Sequence, residues 1–324
     1  MLNKKQITVL SIPLLLLTAC GGDGNSNDEA PLPIFSLAVS DAPVDDLAEV
    51  VVCFNQIELK MGGADVTFTV GNESGMIASN DLCLNNNDKI IPDTVGIDLR
   101  AYTGSDSITL VDGISIAAGD YTQMRLIMSD GSYGIDVLSG DKISVSVPSN
   151  EIKLDGFTAT LGGTVDFTLE FDLNKAMTNP VGQAGYFLKP RGVRLVNNIE
   201  AGHIEGSVSE SLLITNQCTP LSDSSVSIAS VYLYEAPSLA MTTLADVDGS
   251  ETNQPLTSTS VTFDSEQTAY NFEIGFINAG DYTIAVSCDI EDTPEVDDVV
   301  TFISSQNVTV TAGDTAKQVI FEVQ

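Results

Sequence analysis

The sequence predicts an all-β protein built as two antiparallel β-sandwich domains in tandem. Three observations predict it. From Ile34 onward, short runs rich in β-branched and aromatic residues recur, many of them separated by Gly, Asn, Asp or Ser. Several of these runs alternate apolar with polar residues, the period of a half-buried strand. No long window carries a helical period, and a chain of 324 residues exceeds what one sandwich of about 100 residues uses.

The N-terminus is a targeting segment rather than part of the fold. Lys4 and Lys5 precede an apolar stretch over residues 7–17, interrupted by Pro13. The stretch is too short to span a bilayer, which needs roughly 20 helical residues. It ends in Leu17-Thr18-Ala19-Cys20, followed by Gly21 and Gly22. This order resembles the lipobox of bacterial lipoproteins. The resemblance implies a lipoprotein signal peptide over residues 1–19, cleavage before Cys20, and a diacylglycerol on the Cys20 thiol. The membrane is then a partner through the N-terminal lipid. Gly rather than Asp at position 21 implies, by analogy with enterobacterial sorting, the outer membrane of a Gram-negative cell envelope. Residues 20–33 read GGDGNSNDEAPLP after the cysteine, a flexible tether almost without apolar content.

Strands follow. Val50-Val51-Val52-Cys53-Phe54 is a continuous apolar run, and residues 121–128, 142–147 and 165–173 are further strands. Ile143, Val145 and Val147 alternate with Ser144 and Ser146; Val165, Phe167, Leu169, Phe171 and Leu173 repeat the device. Residues 45–50 suit a single helical turn. The first domain is expected over residues 34–200, with the boundary in NNIEAG at 197–202. The second, over residues 201–324, opens with a strand at His203. It closes with TAGDTAKQVIFEV, a turn and a strand whose apolar set is Val319, Phe321 and Val323.

Four separated motifs occur in order: SLAVSDAPVDDLAEVVVCFNQIELK (36–60), IDLRAYTG (97–104), IAAGDYTQMRLIM (116–128) and YFLKPRGVRLV (186–196). Together they resemble the bacterial family catalogued as domain of unknown function 4382 (DUF4382), over roughly residues 35–196. The resemblance implies an exported protein or lipoprotein. The family has no established activity, so it transfers no catalytic residues. GHIEGSVSE (202–210) resembles the opening of carboxypeptidase-regulatory-like, transthyretin-type sandwiches.

The string AGDYT occurs at 118–122 and again at 279–283. A duplicated domain would keep the same strand faces after each copy. Instead the apolar set is Met124, Leu126 and Met128 after the first, and Ile284, Val286 and Cys288 after the second. A slip of one residue exchanges the two faces of a strand. The repeat therefore reads as a shared turn device. Gly119 and Gly280 are suited to positive φ, Asp120 and Asp281 to bonding nearby backbone, and both tyrosines to entering a strand.

Charge and cysteines bound the function. Thirteen Lys and Arg face 45 Asp and Glu, a formal charge of −32. Such a polyanion repels nucleic acid, which excludes that partner. It also repels anionic headgroups, so lipid must supply any membrane hold. Apart from Cys20 there are four cysteines, Cys53, Cys83, Cys218 and Cys288. Four allow three pairings; sequence proximity favours Cys53–Cys83 and Cys218–Cys288, one per domain, in an oxidising compartment. Neither a CxxC motif nor a Cys/His cluster of zinc spacing occurs.

A nucleophilic triad needs a base, and His203 is the one histidine, at the domain junction. No Gly-rich phosphate loop precedes a helix. Trp is absent, which weakens a carbohydrate platform. Metal is the chemistry left. Asp41, Asp45 and Asp46 in SDAPVDD flank the bend at Pro43 and offer the oxygen ligands calcium takes. Asp246, Asp248 and Glu251 in DVDGSE are a second, partial acidic loop, and EDTPEVDD (291–298) reads as a solvated hairpin loop. Lys189, Arg191 and Arg194 suit pairing with strand carboxylates or clamping a ligand carboxylate. The expected function is a non-catalytic, lipid-anchored envelope protein. Its expected role is a binding or adhesive module for an envelope protein or extracellular polymer; the alternatives are an accessory part of an envelope assembly and a carboxylate-based hydrolase. No cofactor is expected other than calcium.

Overall fold

Alternation along the chain becomes faces in space. In the strand Ile34–Ala42, Phe35, Leu37 and Val39 are fully buried, because every second side chain of a strand points to the same side. The computed structural model describes residues 30–42, 47–180, 182–223, 226–290, 292–313 and 315–323. Cys20, Asp45 and Asp46 lie outside the described residues.

Ile34–Ala42 lies between Thr164–Asp172, which it pairs in parallel, and Ile108–Ser115, which it pairs antiparallel. Val193–Asn197 completes this four-stranded sheet beyond Thr164–Asp172. A larger sheet runs in the order Glu151–Leu154, Gln123–Met128, Leu47–Lys60, Tyr133–Asp136, Lys142–Ser146, Tyr186–Leu188, Met177–Thr178. Val66–Thr69 and Val95–Asp98 also pair with its long strand, Leu47–Lys60. One core joins the two sheets as a sandwich, with Phe35, Leu37, Val52, Phe54, Leu126 and Leu169 among its members.

Leu47–Lys60 corrects the expected helical turn over residues 45–50: from Leu47 onward the chain is strand, paired with Tyr133–Asp136. A bulge between Leu47 and Glu49 puts buried Leu47 and Val50 three residues apart, a spacing that imitates a helix face. A second bulge, between Phe54 and Gln56, moves the inward set from Val50, Val52 and Phe54 to Ile57 and Leu59. On the outer face Cys53 is bonded to Cys83, with Cα atoms 5.9 Å apart, and packs with Val51.

Residues 201–321 form a seven-stranded sheet in the order Phe302–Val310, Gly280–Ser287, Ser227–Glu235, Thr257–Asp264, Ala269–Asn278, Ala201–Val208, Lys317–Phe321. Every strand sends residues into one core, so the sheet wraps it. The Gln306 side chain donates to the Ile320 carbonyl at 2.9 Å, tying the two edge strands. Val319 and Phe321 are buried as the pattern requires, whereas Val323 is exposed beyond the strand. The Cys218–Cys288 disulfide packs on this core. Among the described residues three strand pairs run parallel alongside the antiparallel ones: Ile34–Ala42 with Thr164–Asp172, Tyr186–Leu188 with Lys142–Ser146, and Ala201–Val208 with Lys317–Phe321. Parallel pairing needs long crossovers, which local spacing does not display.

Both AGDYT copies build one device. The Tyr121 hydroxyl donates to the Ala117 carbonyl at 2.9 Å, and Tyr282 to Asn278 at 2.7 Å. Each bond reaches four residues back, as in the tyrosine corner of sandwich folds. The aspartates accept from cross-strand threonines rather than from nearby backbone: Thr158 to Asp120 at 2.7 Å, Thr309 to Asp281 at 2.6 Å. Gly119 has φ +148°, while Gly280 is not among the positive-φ glycines. The phase slip has a cause. After Tyr121 the chain breaks at Thr122 and passes from pairing with Phe157–Ala159 to pairing with Leu47–Lys60; after Tyr282 the strand Gly280–Ser287 runs on unbroken.

Candidate functional site

Leu32–Gln324 is one compact unit, and its polar chemistry gathers in two places, the junction between the sandwiches and a pair of acidic loops beside it. The outward side chains of the four-stranded sheet supply the junction. Ser40 stands opposite Glu170, and Glu170 opposite Arg194. Glu170 and Asp172 are buried, and Oε2 of the first and Oδ2 of the second accept no hydrogen bond. Burial pushes the Glu170 carboxyl up to about 8; the Asp172 charge adds to this, while the Arg194 charge and the Ser40 hydroxyl oppose it. Asp172 is raised by the same burial.

Basic side chains of the first sandwich reach across. Arg194 Nη1 donates to the Phe276 carbonyl at 3.3 Å, Lys175 Nζ to that of Pro255 at 3.1 Å, and Arg191 Nη2 to that of Pro294 at 3.1 Å. Arg191 also pairs with Asp248, and the Asn179 backbone N–H donates to Glu295. Phe276 holds φ at +50°, a conformation that bulky residues rarely adopt. His203 sustains it: Nδ1 accepts the Phe276 N–H at 3.2 Å, and the rings meet edge to face at 4.9 Å. The single histidine is thus a packing residue. Chain-to-chain approach is close here, since a Cβ at Gly275 would strike the Gly104 carbonyl. A cleft of about 220 Å³ opens beside the junction, lined by Leu173, Asn174, Asn179, Asp292 and Glu295 among others.

Of the predicted metal residues, Asp41 is fully buried on the core side of Ile34–Ala42, and neither carboxylate oxygen accepts a hydrogen bond. Burial, then the charges of Glu170 and Asp172, push its carboxyl well above the usual range. Asp45 and Asp46 lie outside the described residues. The second predicted group is rearranged. Asp248 turns to Arg191, while Asp246 and Glu251 meet Asp297 of the segment expected to be a solvated loop. Carboxylate oxygens of Asp246, Glu251 and Asp297 lie within 4.8 Å of one another, as do those of Asp246, Asp292 and Asp298.

The strand Ser227–Glu235 assembles these loops. Val231 and Leu233 face the main core, whereas Tyr232 and Tyr234 face outward under the loops with Leu244, Val247 and Phe302. The Tyr234 hydroxyl donates to the Ala245 carbonyl at 2.7 Å and Tyr232 to Asp292 Oδ2 at 2.8 Å. Backbone N–H groups then stitch loop to loop: Val247 to Asp292 Oδ2 at 3.1 Å, Ser250 to Asp297 Oδ1 at 3.3 Å, and Asp298 to Asp246 Oδ2. Burial raises Asp246 and pushes Asp292 up to about 6, with neighbouring carboxylates adding to both. Local spacing showed half of this group; the other half needed the strand register that brings residues 292–298 over Tyr232.

No helix among the described residues is long and apolar enough to cross a membrane. No curated protein matches the chain. Among solved structures it is similar to the Bacillus anthracis TIE protein (10% identity, 90% of this chain and 34% of that one, TM-score 0.19). It is also similar to a fimbrial protein from Bacteroides ovatus (8%, 91% and 51%, TM-score 0.15) and to the major pilin from Streptococcus pyogenes (10%, 90% and 99%, TM-score 0.12). The chain spans about a third of the length of the first and half of the second. Residues 34–190, which carry three strands of the four-stranded sheet and the whole of the larger one, match the family described as Domain of unknown function (DUF4382).

Proposed function

We propose that this chain is a non-catalytic binding or adhesive module of the cell envelope, displayed outside the cytoplasm on a lipid attached to Cys20. The junction carries the reading. Lys175, Arg191 and Arg194 belong to a set of only thirteen basic residues, and all three donate to carbonyls of the second sandwich. Cations spent in this way fix one sandwich against the other rather than meeting a substrate, and a rigid pair of sandwiches presents a fixed face at a distance from its anchor. Two disulfides support an oxidising compartment. A transthyretin-type second sandwich fits the same role.

The test offers the purified full chain to immobilised envelope polysaccharides and peptidoglycan while released sugars and peptides are followed. Saturable binding without release is the expected result; release that scales with added protein would overturn the reading. A second reading, an accessory component of an envelope assembly, is favoured by Val296 and Val299, both exposed on the acidic loop. A complex of fixed stoichiometry with another envelope protein, lost on Val299→Asp, would point to it.

A further inference from the structure

We infer that residues 246–251 and 292–298 of the second sandwich form a calcium centre organised around Asp246. This goes beyond the binding role and does not rest on it. Asp246 belongs to both carboxylate groupings, one with Glu251 and Asp297, the other with Asp292 and Asp298. An acidic cluster alone would mean little, since exposed carboxylates crowd many surfaces. Asp246 differs: it is 2% exposed, and its Oδ1 is buried without a hydrogen-bond partner. A carboxylate oxygen taken from water and left unmatched is costly unless something positive meets it. Among the described residues no Lys or Arg pairs with any of these five acids; the nearby Arg191 is taken by Asp248.

The oxygens are also held in place beforehand. Backbone N–H groups from one loop fix carboxylates of the other, and Tyr232 fixes Asp292. A carboxylate oxygen that accepts one N–H keeps a second lone pair for a ligand. The donor set is oxygen alone, which selects a hard cation. Two irregular loops supplying carboxylates from five positions suit calcium, which takes six to eight oxygens in flexible geometry, better than magnesium, which demands an octahedron. Both loops also receive the first sandwich, through Asp248, Pro294 and Glu295. An ion there would stiffen the surface on which the junction rests.

The experiment uses the purified full chain, stripped with chelator and titrated with calcium chloride. Calorimetry should show saturable binding within the micromolar-to-millimolar range of extracellular sites. At about ten times Kd, Tm should rise by roughly 3 °C. Terbium supplies an independent signature. The chain has no Trp, so terbium bound beside Asp292 would be sensitised by Tyr232. Asp246→Asn should weaken calcium at least tenfold and abolish the sensitised emission. Should Asp246→Asn misfold, Glu251→Gln and Asp297→Asn, both at exposed positions, should each weaken calcium several-fold, while Asp281→Asn, whose carboxylate accepts from Thr309 and belongs to neither grouping, leaves it unchanged. No calcium heat and no shift in Tm would overturn the inference. So would equal affinity in the Asp246, Glu251 and Asp297 variants, or tighter binding of magnesium than of calcium.

Discussion

Replacing Glu170 by Gln should remove a pH dependence that the folded protein carries in the direction opposite to ordinary acid denaturation. Glu170 is 1% exposed, and its carboxyl is pushed from 4.5 to about 8 by burial. Below about pH 4.5 the group is protonated in both folded and unfolded chains and contributes no pH slope. Between there and pH 8 the native state holds a proton that the unfolded chain has released, so stability falls as pH rises, by about 1.4 kcal/mol per pH unit. Across that window the loss is on the order of 5 kcal/mol, and above pH 8 it is complete. Asp41 and Asp172 are raised chiefly by burial as well, and that part of their slope persists in the variant, whereas the push of the Glu170 charge on Asp41 is lost with it. The informative quantity is therefore the difference between the two chains. Urea midpoints near pH 5, 6.5 and 8.5 measure it: Glu170→Gln should match wild type near pH 5 and exceed it by several kcal/mol near pH 8.5. The competing possibility is an ionised Glu170 paired with Arg194, whose Nε and Nη2 lie buried without partners. In that case the Gln variant would be the weaker chain at high pH, and that result, or parallel pH profiles, would refute the argument.

Replacing both cysteines of Cys53–Cys83, 30 residues apart, should lower unfolding free energy by roughly 3.5 kcal/mol. The 70-residue Cys218–Cys288 loop should lose roughly 4.5 kcal/mol on the same treatment, read by denaturant titration. Tyr121→Phe and Tyr282→Phe each delete one corner hydrogen bond and should each cost about 1 kcal/mol in thermal unfolding with an unchanged circular dichroism spectrum. Gly275→Ala drives a methyl into the Gly104 carbonyl; it should destabilise by about 1–3 kcal/mol and speed proteolysis near residues 103–106. Phe171→Ala, emptying a fully buried site, should cost about 3–5 kcal/mol.

Where one face of a strand is wet, the sequence was readable. Val145 and Val147 turn inward and Ser144 and Ser146 outward, as their alternation demands. The two disulfides were legible from proximity alone, because each closes a loop within one sandwich. Reading failed where the physics was non-local or doubled. Bulges at Ala48 and Asn55 shift the inward set of Leu47–Lys60, and no composition signal marks them. In Ser227–Glu235 nearly every residue is buried, so alternation vanishes although Val231 and Tyr232 serve different cores. The acidic group was half visible. DVDGSE has local spacing, but Asp292, Asp297 and Asp298 come from a segment whose own composition says only that it is polar.

The two AGDYT corners show what a short identical string can and cannot report. Tyrosine, aspartate and glycine recur because the corner asks for a hydroxyl that reaches back four residues, a carboxylate opposite a threonine, and a residue with little bulk at the bend. Those demands are met within a few residues, so they select the same letters twice. Register is not among them. After Tyr121 the chain must change sheets, and the break at Thr122, whose N–H and hydroxyl both donate to the Lys60 carbonyl, resets which side chains face inward. After Tyr282 nothing interrupts the strand, and Ile284 and Val286 enter the main core while Ala285 enters the outer one. Identity of letters thus reports identity of local bonding, and the faces that follow are set by which partner strand the chain joins next. The acidic loops obey the same logic in reverse: residues unlike any motif become one group because Tyr232 and Tyr234 dictate where two loops must land.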